Sequence, residues 1–116
     1  MAKAETIQLD LLTNDSLKSP EGVTLVPLRK VAEGLGYEVK WITSEFAAEL
    51  NKGAEWTNVI VGKNAYFYGK LAPITLEAAP VIQNESLYVP LTFVSDILHA
   101  DVRNGDSGDI HIEKLK

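Results

Sequence analysis

Few residues in this 116-residue chain are equipped for chemistry. There are two histidines, His99 and His111, and no cysteine. Without cysteine, disulfide staples, zinc–thiolate sites and thiolate nucleophiles are excluded. A copper or catalytic zinc site draws on two or three imidazoles in a defined geometry, which this chain does not supply. His111 alternates with Ile110 and Ile112 and should point off a sheet toward solvent. Asn104-Gly105-Asp106-Ser107-Gly108-Asp109 has oxygen ligands at a spacing similar to a calcium loop. It lacks the terminal bidentate glutamate and the denser acidic positions of the full motif, and as a turn it needs no ion. No metal and no cofactor is expected.

Hydrolytic arrangements fare no better. No Gly-x-Ser-x-Gly elbow exists, and neither histidine has a recognisable orienting aspartate. The carboxylate pairs Glu45/Glu49 and Asp106/Asp109 fall on solvated faces. Glycosidase chemistry instead needs two carboxyls across a cleft, in environments that separate their pKa values. No glycine loop follows a strand to cradle a phosphate. No catalytic residue is assigned, and the chain is expected not to be an enzyme.

Binding residues are easier to nominate. In Tyr66-Phe67-Tyr68 the period of a strand puts the two tyrosines on one face and Phe67 on the other, toward the core. Tyr66 and Tyr68, with Trp56, can form a platform for glycan or protein, although cross-strand packing explains them equally well. The stretch Thr13 to Gly22 is dense in turn formers and reads as a loop. Within it, Ser16-Leu17-Lys18-Ser19-Pro20 sets an apolar and a basic side chain together on a proline-braced segment. A serine protease would accept such a segment in extended form if the scaffold held it rigid. Leu17 would suit a subtilisin-like or chymotrypsin-like pocket, and Lys18 a trypsin-like one.

The elements that must position these residues are announced by an internal repeat. Val26-Pro27-Leu28-Arg29-Lys30-Val31-Ala32-Glu33-Gly34-Leu35-Gly36-Tyr37-Glu38-Val39-Lys40 returns as Val89-Pro90-Leu91-Thr92-Phe93-Val94-Ser95-Asp96-Ile97-Leu98-His99-Ala100-Asp101-Val102-Arg103. The matching positions are apolar ones at helical spacing plus the proline, so the repeat preserves packing rather than an active site. Each unit, about 23–41 and 86–103, reads as strand, short helix, strand. Proline suits the first helical turn, and Gly36 is a natural stop that His99 replaces in the second unit. Leu28, Val31, Ala32 and Leu35 form one helix face, and Leu91, Val94, Ile97 and Leu98 the other. Arg29 and Lys30, and Thr92 and Phe93 in the second unit, should face away. Such helices are too short to hold alone in water and must pack on a sheet.

Outside the units, Thr6–Leu11 alternates as a strand and Asp109–Glu113 as a terminal one. Trp56–Val61, Ala65–Tyr68 and Leu71–Leu76 read as a meander. Ser44–Leu50 reads as a third short helix, with Phe46, Ala47 and Leu50 on its apolar side. The expected fold class is α+β: one small domain over residues 1–116, with two strand–helix–strand repeats whose short helices pack on a mainly antiparallel sheet.

Composition sets the remaining bounds. With 46% apolar and 23% charged residues a real core can form. The net charge of −5 repels phosphate backbones and anionic lipid surfaces, so nucleic acid is not an expected partner. No apolar run approaches the ~18–20 residues of a membrane span, so no membrane insertion is expected. Ala2-Lys3-Ala4-Glu5 has the small-x-small pattern found around a signal-peptidase site, as in a mature exported protein with an added Met1.

Three stretches carry a family resemblance. They are Val26-Pro27-Leu28-Arg29 continuing through Leu35-Gly36-Tyr37-Glu38-Val39-Lys40-Trp41, then Ala79-Pro80-Val81-Ile82 leading to Tyr88-Val89-Pro90-Leu91, and Phe93-Val94-Ser95-Asp96-Ile97-Leu98. Together they resemble the copper amine oxidase N-terminal-like domain, also called the stalk domain, well over Val23–Trp41 and Ala79–Glu113 and loosely over Trp56–Leu76. The resemblance implies a small α+β module that precedes, and does not contain, the catalytic part of certain amine oxidases, so the family name implies no copper site here. It also implies an exported or cell-surface setting in Gram-positive bacteria. Residues 42–55 depart from the family's usual short strand hairpin, and Thr92-Phe93 replaces its usual basic–apolar pair.

The functional expectation is therefore a non-enzymatic, secreted or cell-surface module that contacts an envelope protein or another protein partner. The rival is a secreted proteinaceous inhibitor of serine proteases of the subtilisin or trypsin type. A third expectation, cell-wall glycan binding, rests on the tyrosines. The binding candidates are Leu17, Lys18, Tyr66 and Tyr68.

Overall fold

The computed structural model describes residues 6–12, 15–69, 72–83, 85–105 and 109–115. The Ala2-Lys3-Ala4-Glu5 pattern, Thr13 and Asn14 of the first loop, Leu71 of the meander and Asp106, Ser107 and Gly108 of the calcium-like turn lie outside the described residues.

The chain runs β1 (Thr6–Leu11), β2 (Leu17–Lys18), β3 (Thr24–Pro27), α1 (Leu28–Gly34), β4 (Glu38–Ile42), β5 (Ala47–Lys52), β6 (Glu55–Ile60) and β7 (Tyr66–Tyr68). It continues as β8 (Val81–Gln83), β9 (Ser86–Pro90), α2 (Leu91–Asp96), β10 (Asp101–Asn104) and β11 (Ile110–Leu115). The strands form three sheets of order β1-β11-β10, β2-β3-β9-β8 and β4-β5-β6-β7, where a single sheet was expected. All of these pairings are antiparallel, and the class is α+β. The helices divert the chain between sheets: α1 carries it from β3 to β4, and α2 from β9 to β10.

The two Val-Pro-Leu segments meet at the centre. Val26 pairs with Val89, and Pro27 with Tyr88. Each proline ends its strand and stands immediately before the helix rather than inside its first turn. At the end of α1 the Tyr37 N–H donates to Ala32 O at 2.8 Å and the Gly36 N–H to Glu33 O at 3.0 Å. This closure needs a left-handed residue, and Gly36 supplies it at φ +94°. His99 takes a left-handed φ of +57° after α2, with its ring edge-on to Tyr68 at 5.3 Å. The side of Gly34 faces Leu9 of β1, where an added Cβ would stand 3.0 Å from the leucine methyl, so α1 and β1 approach closely.

One apolar cluster joins the three sheets and both helices. Leu28, Val31, Ala32 and Leu35 enter it from α1, and Phe93, Val94, Ile97 and Leu98 from α2 and the residues after it. Leu91 is only partly buried. Phe93, expected to face outward, is fully buried and lies 5.5 Å from the Tyr66 ring. Its helix is two turns long and covered on both flanks, so more than one stripe is internal.

The expected third helix is not formed. Thr43–Glu45 makes a single 3-10 turn, Phe46 leaves it in the left-handed region at φ +53°, and Ala47–Lys52 becomes β5. A seven-residue helix is marginal by itself. Lying between β4 and β6, the same residues satisfy their backbone groups on both sides. Residues 42–55 are therefore part of a strand hairpin after all, and Glu45 and Glu49 share no helix face. Sequence patterning also missed β8, and it expected a strand at 71–76, where the described residues make only an isolated bridge between Tyr66 and Ile74.

Candidate functional site

The described part of the first loop, Leu12 and Asp15 to Val23, is tied down at both ends. Asp15 braces its start: its carboxylate accepts from the Leu12 N–H at 2.8 Å and from Lys30 Nζ of α1 at 3.1 Å. The backbone donor, and then Lys30, hold the Asp15 carboxyl below the usual carboxylate range. Ser19 braces the end, donating its N–H to Val23 O at 2.9 Å and accepting the Val23 N–H on its hydroxyl at 3.1 Å. Between the braces Leu17 and Lys18 pair with Leu25 and Thr24 of β3. No described strand lies on the other side, so β2 is a sheet edge. Leu17 is half-buried, and Lys18 is exposed.

The tyrosine platform is turned inside out. Tyr66 and Tyr68 do share a face, but it is the core face. Tyr66 is 0% exposed and donates its hydroxyl to Ala78 O at 2.7 Å. Burial pushes its phenol far above the ordinary value. Phe67, expected inside, is only half-buried on the opposite side. The reason lies in α2: Phe93 needs a partner under the sheet, and the Tyr66 ring fills that space while its polar tip finds a carbonyl. Tyr68 is partly buried, its hydroxyl 3.4 Å from a Glu55 oxygen that also accepts from Tyr37 at 3.1 Å. The four candidates are thus not brought together. Leu17 and Lys18 lie on β2, and Tyr66 and Tyr68 lie in another sheet.

Two features escaped the sequence. The first is a cleft of about 760 Å³ where two sheets splay apart. Val39, Trp41 and Ala48 form one wall, Ile82, Leu87 and Tyr88 the other, and Leu28 of α1 lies at the back. Trp41 is 38% exposed, Ile82 is 42% exposed, and Phe46 is 53% exposed. Phe46 meets Trp41 edge-on at 5.5 Å. A bulky residue in left-handed geometry costs about 1–2 kcal/mol, so this ring is held in place against local preference. Two large aromatics bracketing the Thr43-Ser44-Glu45 turn were the available signal.

The second is a carboxylate pair around His111. Nδ1 lies 2.7 Å from Asp10 Oδ1 and Nε2 lies 2.9 Å from Asp109 Oδ2. The Asp10 hydrogen bond above all, then the charges of both aspartates, raise its pKa against the opposing effects of desolvation and Arg103. Neither aspartate was paired with His111 from sequence. Asp10 lies 101 positions away in the chain and is delivered by the β1–β11 register. The imidazole is hydrogen-bonded to Asp10 through Nδ1, has the Asp109 carboxylate in ion-pair contact with Nε2, and faces solvent, and no nucleophilic hydroxyl bonds to it among the described residues. Among the described residues no group of three or more His, Cys, Asp or Glu side chains is placed to hold a metal ion.

The described residues thus form a mainly antiparallel α+β module with a braced edge strand and an open cleft. The chain belongs to the copper amine oxidase N-terminal domain family, whose model matches residues 8–112. It is also similar to a protein of Brevibacillus choshinensis named protease inhibitor, with 48% identity over 82 residues. That match covers 71% of this chain and 25% of the relative, so the chain spans about a quarter of that protein's length. No helix among the described residues is long and apolar enough to cross a membrane.

Proposed function

We propose that this chain is a non-enzymatic, exported protein-binding module whose partner is a serine protease, engaged through β2. The carrying observation is the preorganised edge: Leu17 and Lys18 are extended, paired on one side only and fixed at both ends by Asp15 and Ser19. Proteases take substrate-like segments as extended strands, and rigidity removes the ordering cost that a loose loop would bear. The name of the Brevibacillus relative supports a protease as the partner, and the choice of a serine protease rests on the extended Leu17-Lys18 segment. Of the two anchors Lys18 is the exposed one, which favours a pocket with a buried carboxylate, as in trypsin-like enzymes. An inhibitor acts where proteases are released, which accords with export. A glycan platform finds no support in Tyr66, which is buried. The two strand–helix–strand segments are read, within this proposal, as copies of one unit that supply a rigid frame rather than a site.

The test is a titration of trypsin and subtilisin, each with a small chromogenic substrate. Stoichiometric inhibition of trypsin is expected, with loss of at least tenfold in apparent affinity in Lys18→Ala at an unchanged melting temperature. Cleavage of the segment without inhibition, or indifference of both enzymes, sinks the reading. Inhibition that survives both Leu17→Gly and Lys18→Gly moves the contact off β2.

A further inference from the structure

We infer that the cleft between the β4–β5 and β8–β9 walls is a second docking surface, separate from the β2 edge although Asp15, which braces β2, also lines its rim, and that it receives an extended protein segment bearing large apolar side chains beside a basic residue. Three observations converge on it. Its two walls are the open end of the core faces, with Trp41 exposed on one side and Ile82 on the other. Contacts of this kind, an aromatic anchor beside an aliphatic wall, are where protein interfaces concentrate their affinity. Phe46 extends the apolar wall through its edge-on contact with Trp41, and its left-handed backbone shows a side chain presented outward at a local cost. All three residues of β8 are exposed, and the strand is the outer member of its sheet, so its free backbone edge can pair with an added strand.

Charge selects the occupant. The cleft lining carries Arg29 and Lys30 against Asp15, Glu33 and Glu85, with Arg29 lying 3.0 Å from Glu33 and Lys30 3.1 Å from Asp15, so its balance is negative. Glu85, at the β8–β9 turn, lines the same cleft and has no ionic partner among the described residues. An acidic segment or a phosphate therefore meets a lining of negative balance, whereas a lysine or arginine meets the Glu85 carboxylate, which is unpaired among the described residues. The net charge of −5 acts in the same direction at long range.

The test uses three acetylated, amidated peptides and the intact chain: one alternating leucine and threonine and ending in two lysines, its counterpart ending in two glutamates, and a version with serine for leucine. Calorimetry gives affinities, and amide and indole shifts of Trp41, Phe46 and β8 give the site. The lysine peptide is expected to bind at least about tenfold tighter than either control. Glu85→Gln should reduce its advantage over the glutamate peptide to about twofold or less. Ile82→Ser at an unchanged melting temperature, and Phe46→Gly with no fall in melting temperature because glycine relieves the left-handed strain, should each weaken it about tenfold. Equal binding of the lysine and glutamate peptides overturns the proposal, as does binding indifferent to Ile82→Ser or absent up to about millimolar peptide. Self-association that Ile82→Ser abolishes, seen by sedimentation of the chain alone, overturns it in favour of a second copy as occupant. None of these readouts involves protease inhibition, so the two proposals fail separately.

Discussion

Replacing Tyr66 tests whether β7 presents a platform or supports the core. The ring is fully buried, packs 5.5 Å from Phe93, and its hydroxyl donates to Ala78 O at 2.7 Å. Tyr66→Ala removes a buried aromatic, at a cost of about 3–5 kcal/mol, and within that figure the paired ring accounts for about 0.5–1.5 kcal/mol. Against a total stability of about 5–15 kcal/mol for a domain, that is from about a fifth to all of the margin. Tyr66→Phe keeps the packing and loses one hydrogen bond, about 0.5–1.5 kcal/mol, or roughly 4–8 °C in melting temperature per kcal/mol for a domain near this size. Its backbone also exchanges bonds with Ile74 at 2.8 and 2.9 Å, so the hydroxyl is a further tie on the 74–78 segment. Hydrogen exchange in that segment should accelerate in Tyr66→Phe and stay unchanged in Tyr68→Phe. Alkaline pH gives an independent reading. Burial raises the folded pKa of Tyr66, so its contribution is intact below the unfolded value of about 10 and declines as pH rises above it, by up to about 1.4 kcal/mol per pH unit. Tyr66→Phe should make the measured decline shallower without abolishing it, because burial and the Glu55 carboxylate also raise the phenols of Tyr37 and Tyr68. Thermal melts from neutral pH to above pH 10 measure both effects. A Tyr66→Ala protein that melts with the wild type would refute the reasoning and return the tyrosine to the surface.

Leu35 and Leu98 are 0% and 1% exposed, and truncating either to alanine should cost about 2–5 kcal/mol, read from denaturant melts; an unchanged midpoint would contradict the packing. His111 should titrate above its ordinary value of about 6.5 in an NMR pH series, and Asp10→Asn should lower its pKa more than Asp109→Asn, because the Asp10 hydrogen bond is the larger cause. With the folded pKa raised, its stabilisation is complete below about pH 6.5 and is lost as pH rises through the folded value, so His111→Gln should flatten the stability profile there; a His111 pKa at or below the ordinary value rules this out.

Local pattern was enough to locate the elements around both prolines, because apolar residues at helical spacing beside a β-branched run can bury themselves in few ways. The helix stop at Gly36 and the left-handed His99 were legible for the same reason: backbone geometry there is set by a few neighbouring residues. Family membership was legible too, since it is written in contiguous stretches. What alternation cannot state is which of its two faces is inside. Tyr66 and Phe93 were both placed outward by local pattern and are both at the centre, because each is the other's packing partner. Ser44–Leu50 has a pattern short enough to serve as helix or strand, and only the presence of β4 and β6 on either side makes it a strand. The cleft and the aspartates around His111 are assembled from residues far apart in the chain, through sheet register and the splay of two sheets. Chain sequence decides which residues are available to pair, whereas long-range packing decides which of them meet.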